Sequence, residues 1–179
     1  MIKRILILVL IVVLLFFIGL FLFDAGGNYD QTVDEMLEKY NPPKKDYVIV
    51  IDYRKHLFTK RLYLYDVKNR KEVIRSRVAH AYNSGLFYAG DFSNINESKK
   101  SCYGAFLTGT SYNGQYGYAM RVNGLDKGIN DQAYKRAIVF HSVENLPVMW
   151  SWGCFVTPPD INKRLINLTR EGRLVVVLK

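Results

Sequence analysis

Histidine and cysteine are scarce in this chain, three of one and two of the other in 179 residues. No pair among His56, His80, His141, Cys102 and Cys154 stands at the short spacing of a zinc site. Internal repeats are absent, as are low-complexity segments beyond the N-terminus. No nucleic-acid module signature appears and the cations are scattered, which argues against a nucleic-acid partner. The N-terminal run lacks charge and proline and has a single glycine over the 19 residues from Ile5 to Phe23. At about 1.5 Å per residue that run spans the hydrocarbon core of a bilayer. A cleavable signal would have a shorter apolar region, about 7–15 residues, and a small-x-small site. The expectation is therefore an uncleaved anchor over residues 1–23. No cysteine lies near it, so it is not a lipoprotein signal. Lys3 and Arg4 keep the N-terminus in the cytoplasm and place everything after Phe23 outside it.

The length allows one domain with a sizeable core. Without Lys3 and Arg4, 23 basic residues face 16 acidic ones, an excess of +7 that suits anionic surroundings as well as solubility. Residues 24–46 are expected to be a spacer with a short amphipathic helix, with Val33, Leu37 and Tyr40 on one face, ended by Pro42 and Pro43. The folded domain is expected over residues 47–179. "YVIVIDYR", "RLYLYDVKN" and "EVIRSRVAH" predict three successive antiparallel strands. Residues 81–102 are rich in Asn, Ser, Gly and Lys and predict a long loop framing a site. "AIVFHS" predicts a strand that ends at His141. Thr157 is placed to cap a helix with Pro158, Pro159 and Asp160 in its first turn and Ile161, Leu165 and Leu168 on its apolar face. Gly172 stops that helix and "RLVVVLK" predicts a last strand. The fold class expected is mainly β with one or two flanking helices, preceded by one transmembrane helix.

The chemistry-bearing stretch is "HSVENLPVMWSWGC", residues 141–154. A free thiol titrates near 8.5 and needs a base or local positive potential to act as a nucleophile at neutral pH. His141 on a rigid strand end is such a base for Cys154. Gly153 admits a close backbone approach, and the amides of Trp152, Gly153 and Cys154 are candidate oxyanion donors. Counting cysteines alone supports a Cys102–Cys154 bridge equally well in an exported chain. A packed core histidine is the plain alternative for His141.

"RAIVFHS" followed by "SWGCFVTPPDINKRLI" resembles the histidine and S-x-G-C elements of L,D-transpeptidase catalytic domains, which are bacterial cell-wall enzymes. The order of "VAHAYNSG", "DFSN", "GAFLTGTSYNGQYGYAMRVNGLDKGIN" and "RAIVFHS" is most similar to the murein L,D-transpeptidase catalytic domain branch and covers about Tyr47 to Leu178. The resemblance implies a β-sandwich fold, Cys154 as nucleophile and His141 as general base. It implies fixed motif positions at Ser151 and Gly153 with Trp152 between them, and matches His80 to the histidine of the V-A-H segment. Ser142 stands where the family usually has glycine, and Val156 where common members have arginine. Ser142 is expected either to crowd the substrate or to orient the imidazole.

The function implied is acyl transfer on peptidoglycan stem peptides that forms 3-3 cross-links, without metal or organic cofactor. Water as acceptor would make the same site an L,D-carboxypeptidase or cross-link hydrolase. A non-catalytic wall-binding module and a disulfide-stabilised structural domain are the readings of other classes. The resemblance also implies that Cys102 is a packed thiol, since a bridged Cys154 could not attack.

Overall fold

The structure is a computed structural model that describes residues 2–22, 27–143 and 150–179. Helix α1 (Ile2–Leu22) has 21 residues, about 31 Å of helix, and is long and apolar enough to cross a membrane. The expected end of the anchor at Phe23 lies outside the described residues.

Ten strands follow. They are β1 (Tyr47–Asp52), β2 (Leu62–Asp66), β3 (Lys71–Ser76), β4 (His80–Ala81), β5 (Gly104–Gly114), β6 (Gly117–Gly124), β7 (Val139–Ser142), β8 (Trp150–Ser151), β9 (Phe155–Thr157) and β10 (Leu174–Leu178). Eight of them form one sheet in the order β3-β2-β1-β10-β5-β6-β7-β9, and β4 pairs with β8 in a second, two-stranded sheet. The three strands read from the sequence are antiparallel neighbours as expected, Ile49 opposite Leu64 and Leu64 opposite Ile74.

β1 and β10 run parallel at the centre and are buried on both faces, which explains their nearly continuous aliphatic runs. Ile49, Ile51, Val175 and Val177 point into one core with Leu165 and Ile166, while Val48, Val50, Leu174 and Val176 point into another. That second core is closed by α2 (Asp30–Tyr40), whose Val33 and Leu37 are buried together with Tyr29 just before it. Each such fully buried aliphatic side chain contributes about 1.5–3 kcal/mol. The segment expected as a spacer thus supplies its helix to the sheet, and the packed unit starts at Tyr29 rather than at Tyr47. Asn41 ends α2 in a left-handed conformation, φ 41°, with its N–H on the Leu37 carbonyl at 3.0 Å, ahead of the two prolines.

The sheet curls. β5 and β9 are three strand positions apart, a separation of about 14 Å in a flat sheet. Yet the rings of Phe106 and Phe155 meet edge to face at 5.6 Å. The β5–β9 part of the sheet therefore folds over the core, against which α3 (Pro159–Thr169) packs Leu165 and Ile166. Thr157 does not cap α3: it is the buried last residue of β9, and Pro158 holds the cap position without a side-chain bond.

Candidate active site

β7 and β9 are parallel, with Phe140 opposite Phe155 and His141 opposite Val156. A parallel pair needs a crossover, here residues 143–154, and Cys154 is the last residue of that crossover before β9. This topology brings His141 and Cys154, 13 positions apart in sequence, to the wall of one cleft of about 560 Å³. Tyr82, Lys99, Tyr116, Arg136, Trp150 and Trp152 are among the other residues that line it.

His141 is 6% exposed. Its Nδ1 lies 3.0 Å from the Ser142 carbonyl, which assigns the proton to Nδ1 and leaves the Nε2 lone pair as the basic site. Burial holds the imidazole below its ordinary pKa, partly opposed by that hydrogen bond, and so favours the neutral form. Tyr116, from the turn between β5 and β6, stacks on the ring at 4.8 Å with 26° between planes. The imidazole is thus fixed by a backbone carbonyl and an aromatic lid. The Ser142 hydroxyl is not the orienting group, because the carbonyl of any residue at 142 would serve. The Ser142 side chain instead lines a second cleft, of about 920 Å³, with Asn162, Lys163 and Asn167. Tyr116 and Val143 border both clefts.

Cys154 is half-buried and free, as is the fully buried Cys102. No disulfide joins them. The Cys154 thiol donates to the Ala137 carbonyl at 3.6 Å rather than to His141. Burial pushes its pKa up, against the Val139 amide and the Arg136 charge, which favour thiolate. A lowered imidazole and a raised thiol both favour the uncharged forms.

Ser151 and Gly153 build the turn that presents the thiol. Ser151 Oγ donates to the Cys154 carbonyl at 2.8 Å and accepts from the Gly153 N–H at 3.1 Å. That bond removes the Gly153 amide from the expected set of oxyanion donors. Gly153 has φ +126°, and a Cβ there would stand 2.7 Å from Ile138 Cδ1 and 3.3 Å from the Lys100 carbonyl, so no other residue fits without displacement. Trp152 is 71% exposed at the rim, with Lys99 Nζ 4.8 Å above its ring.

His80 does not reach the cleft. It is fully buried, accepting from Arg61 Nη2 at Nδ1 (2.8 Å) and donating from Nε2 to the Gly85 carbonyl (2.7 Å). Burial pushes its pKa down to about 4. Its strand β4 pairs His80 with Trp150 and Ala81 with Ser151, so it supports the motif from behind. Val156 is buried opposite His141 and brings no cation.

Two residues escaped the sequence reading. Arg136 places a guanidinium in the cleft, held by Cys102 Sγ (2.8 Å), Ser98 Oγ (3.2 Å), and the carbonyls of Lys100 (2.7 Å) and Ser93. Tyr116 is the other; only the tight "GQYG" turn marked its place, and nothing local pointed to the imidazole it covers.

The profile of the L,D-transpeptidase catalytic domain matches residues 28–178. No curated protein matches the sequence. Among solved structures, the chain is similar to the helical cell shape determining protein Pgp2 of Campylobacter jejuni, with a TM-score of 0.54 and 11% identity over 86% of this chain and 56% of that one. An L,D-transpeptidase of Stackebrandtia nassauensis gives 0.49 and 15% over 82% and 64%, and one of Mycobacterium smegmatis gives 0.47 and 11% over 75% and 59%. The chain thus spans less than two thirds of each of these structures, and the likeness is one of fold. The profile match runs from Asn28, ahead of α2, to Leu178 in β10 and takes in both His141 and Cys154, so this chain belongs to the L,D-transpeptidase catalytic-domain family.

Proposed function

We propose that this chain is a cysteine acyltransferase acting on peptidoglycan stem peptides, held by α1 in the bacterial cytoplasmic membrane with its domain on the outer side. The observation that carries the reading is an imidazole whose Nδ1 is held by a backbone carbonyl, in the same cleft as an accessible, unbridged thiol. The reaction requires the Cys154 thiol to leave the Ala137 carbonyl and turn toward Nε2. As the sulfur attacks the carbonyl of the third stem residue, a diamino acid, Nε2 takes the thiol proton. Trp152 and Cys154 backbone amides are the donors left for the oxyanion. Collapse breaks the amide bond, and His141 returns the proton to the departing terminal D-amino acid. The thioester then acylates an amine of a second stem, giving a 3-3 cross-link and regenerating the thiol. The two clefts that meet at Tyr116 suit two strands approaching from opposite sides of the imidazole.

Incubation of the full chain with purified sacculi, followed by mass spectrometry of the muropeptides, tests this. The expected result is loss of the terminal D-amino acid together with new 3-3 dimers, both abolished by Cys154→Ser. Tripeptide stems without dimers would make the activity an L,D-carboxypeptidase. Binding to sacculi with no change in muropeptides would leave a wall-binding module, and a carbapenem that forms no adduct on Cys154 would remove the nucleophile.

A further inference from the structure

An anchor in α1 leaves the domain little freedom of position. Seven Cα steps separate Leu22, the end of α1, from Tyr29, the first buried side chain of the domain. Fully extended they reach at most about 25 Å. Tyr29 sits at one end of the sheet, where its hydroxyl donates to Asp52 Oδ2 at 2.9 Å and its ring packs on Tyr63 at 4.8 Å. The loop leaving β1, residues 53–61, meets the same tyrosine: Lys55 Nζ donates to the Tyr63 hydroxyl at 2.6 Å, and that hydroxyl donates to the Lys60 carbonyl at 2.7 Å. The chain therefore enters the domain beside this loop.

The loop carries an aromatic cluster that opens to solvent. The His56 ring stacks on Phe87 at 5.3 Å, with Phe58 and Tyr88 around it at 5.1 and 5.0 Å. The Leu57 N–H on the Phe87 carbonyl at 2.9 Å joins the two loops into one unit. Leu86, Phe87 and Tyr88 are 59%, 44% and 55% exposed, and Lys60 is exposed on the same loop, as is Arg54, whose guanidinium is paired with Asp52. Exposed aromatics bordered by cations at the end of a short tether form the pattern of a bilayer interface, where rings lie at headgroup level and cations meet anionic lipid. A sugar platform would present an open ring face. Phe87 instead turns a face to His56, whereas the broad, exposed indole of Trp152 lies at the cleft itself.

We propose that Phe58, Leu86, Phe87 and Tyr88 dock the domain into the headgroup region of the anionic bilayer that holds α1. The proposal rests on the anchor reading above. Its consequence reaches the active site, because Trp150 Nε1 donates to the Leu86 carbonyl at 3.0 Å and Tyr82 meets the Trp150 ring edge-on at 6.1 Å. Docking therefore sets the rim of the catalytic cleft at the bilayer surface and directs the enzyme to stem peptides nearest the membrane.

The test uses the full chain in vesicles of phosphatidylethanolamine and phosphatidylglycerol, a small fraction of the latter carrying a photoreactive diazirine near the headgroup. Vesicles are floated, irradiated, and the lipid adducts mapped by mass spectrometry. Adducts are expected on α1 and on the peptides holding residues 56–60 and 86–88, with the second group reduced several-fold by Phe87→Ser with Tyr88→Ser while flotation is unchanged. Adducts on α1 alone would overturn docking and leave the anchor standing. A chain that does not float would overturn the anchor reading and docking with it. Protection of the patch by purified glycan strands, without lipid adducts there, would overturn docking in favour of a glycan surface.

Discussion

His80 makes the stability of the domain depend on pH in a way that can be worked out. Its folded pKa is about 4, against 6.5 for an unfolded histidine. The imidazole accepts from Arg61 at Nδ1, so a proton there would both break that bond and set two cations together in a site without solvent. Between the two pKa values the unfolded chain binds a proton that the native one does not, so stability rises with pH in this window. The contribution is complete above about pH 6.5 and is lost as pH falls toward 4. Linkage gives a loss of about 2 kcal/mol by pH 5 and about 3 kcal/mol by pH 4. Urea denaturation of residues 27–179 at pH 7.5 and pH 5, wild type beside His80→Gln, measures it. The variant is expected to be less stable at both, because Gly85 and Arg61 lose a fitted partner, but the gap should narrow by about 2 kcal/mol at pH 5. Contributions from His56 and His141, lowered in the same direction, cancel in the comparison. A gap independent of pH would refute a neutral, buried His80.

Alkylation of Cys154 by iodoacetamide should keep rising with pH through the ordinary thiol range, because burial outweighs the cation nearby, and Arg136→Gln should move the profile higher still; a flat rate between pH 5 and 8 would indicate a thiolate–imidazolium pair instead. Gly153→Ala should cost about 1–3 kcal/mol in backbone strain and cut acylation about a hundredfold by displacing the thiol. Adding Ile138→Val removes the 2.7 Å clash but not the φ of +126°, so recovery should be partial, and full recovery would show that strain is unimportant. Ser142→Gly should leave the carbapenem acylation rate within about twofold, since losing one orienting hydrogen bond would cost about five- to tenfold. A change in acceptor use is expected instead, because this side chain lines the second cleft.

The parts of the fold readable in the sequence are those with a local signature. Alternation over β1 to β3, the aliphatic run of β10 and the apolar stripes of α2 and α3 each announce a period and an end. What an amphipathic stripe does not announce is the surface that covers it. Val33 and Leu37 mark a face of α2, yet only the sheet, with Val48, Val50 and Val176 pointing the same way, turns a spacer into a wall of the domain. β4 and β8 have two residues each and lie 70 positions apart, too short for any periodicity and too distant for any local rule. Thr157 misled because Ser, Thr and proline before a helix signal a cap only when the residue is free to leave the strand, and Thr157 is held in β9 beside Ser142.

The site divides along the same line. His141 and Cys154 were readable as candidates because a thiol and an imidazole are chemical types tied to an ordered motif, and both line one cleft. The groups that tune them act through space. Tyr116 belongs to a hairpin turn and reaches the imidazole only because β6 lies next to β7. Arg136 ends the segment before β7 and is held by four partners from residues 93–102, a loop whose composition suggested a site but not its cargo. The same guanidinium gives Cys102 its role. A buried thiol 2.8 Å from Arg136 Nη1 helps to fix the cation that lowers the pKa of the other thiol, so the two cysteines are coupled through an arginine instead of a bond. Cys102→Ser preserves a small acceptor for that guanidinium and should leave turnover nearly intact. Cys102→Ala withdraws the acceptor without adding bulk, and should lower acylation at neutral pH by moving the Cys154 profile upward. Equal, near-total loss of turnover in Cys102→Ser and Cys154→Ser would contradict this coupling, because it would require both sulfurs in the chemistry itself.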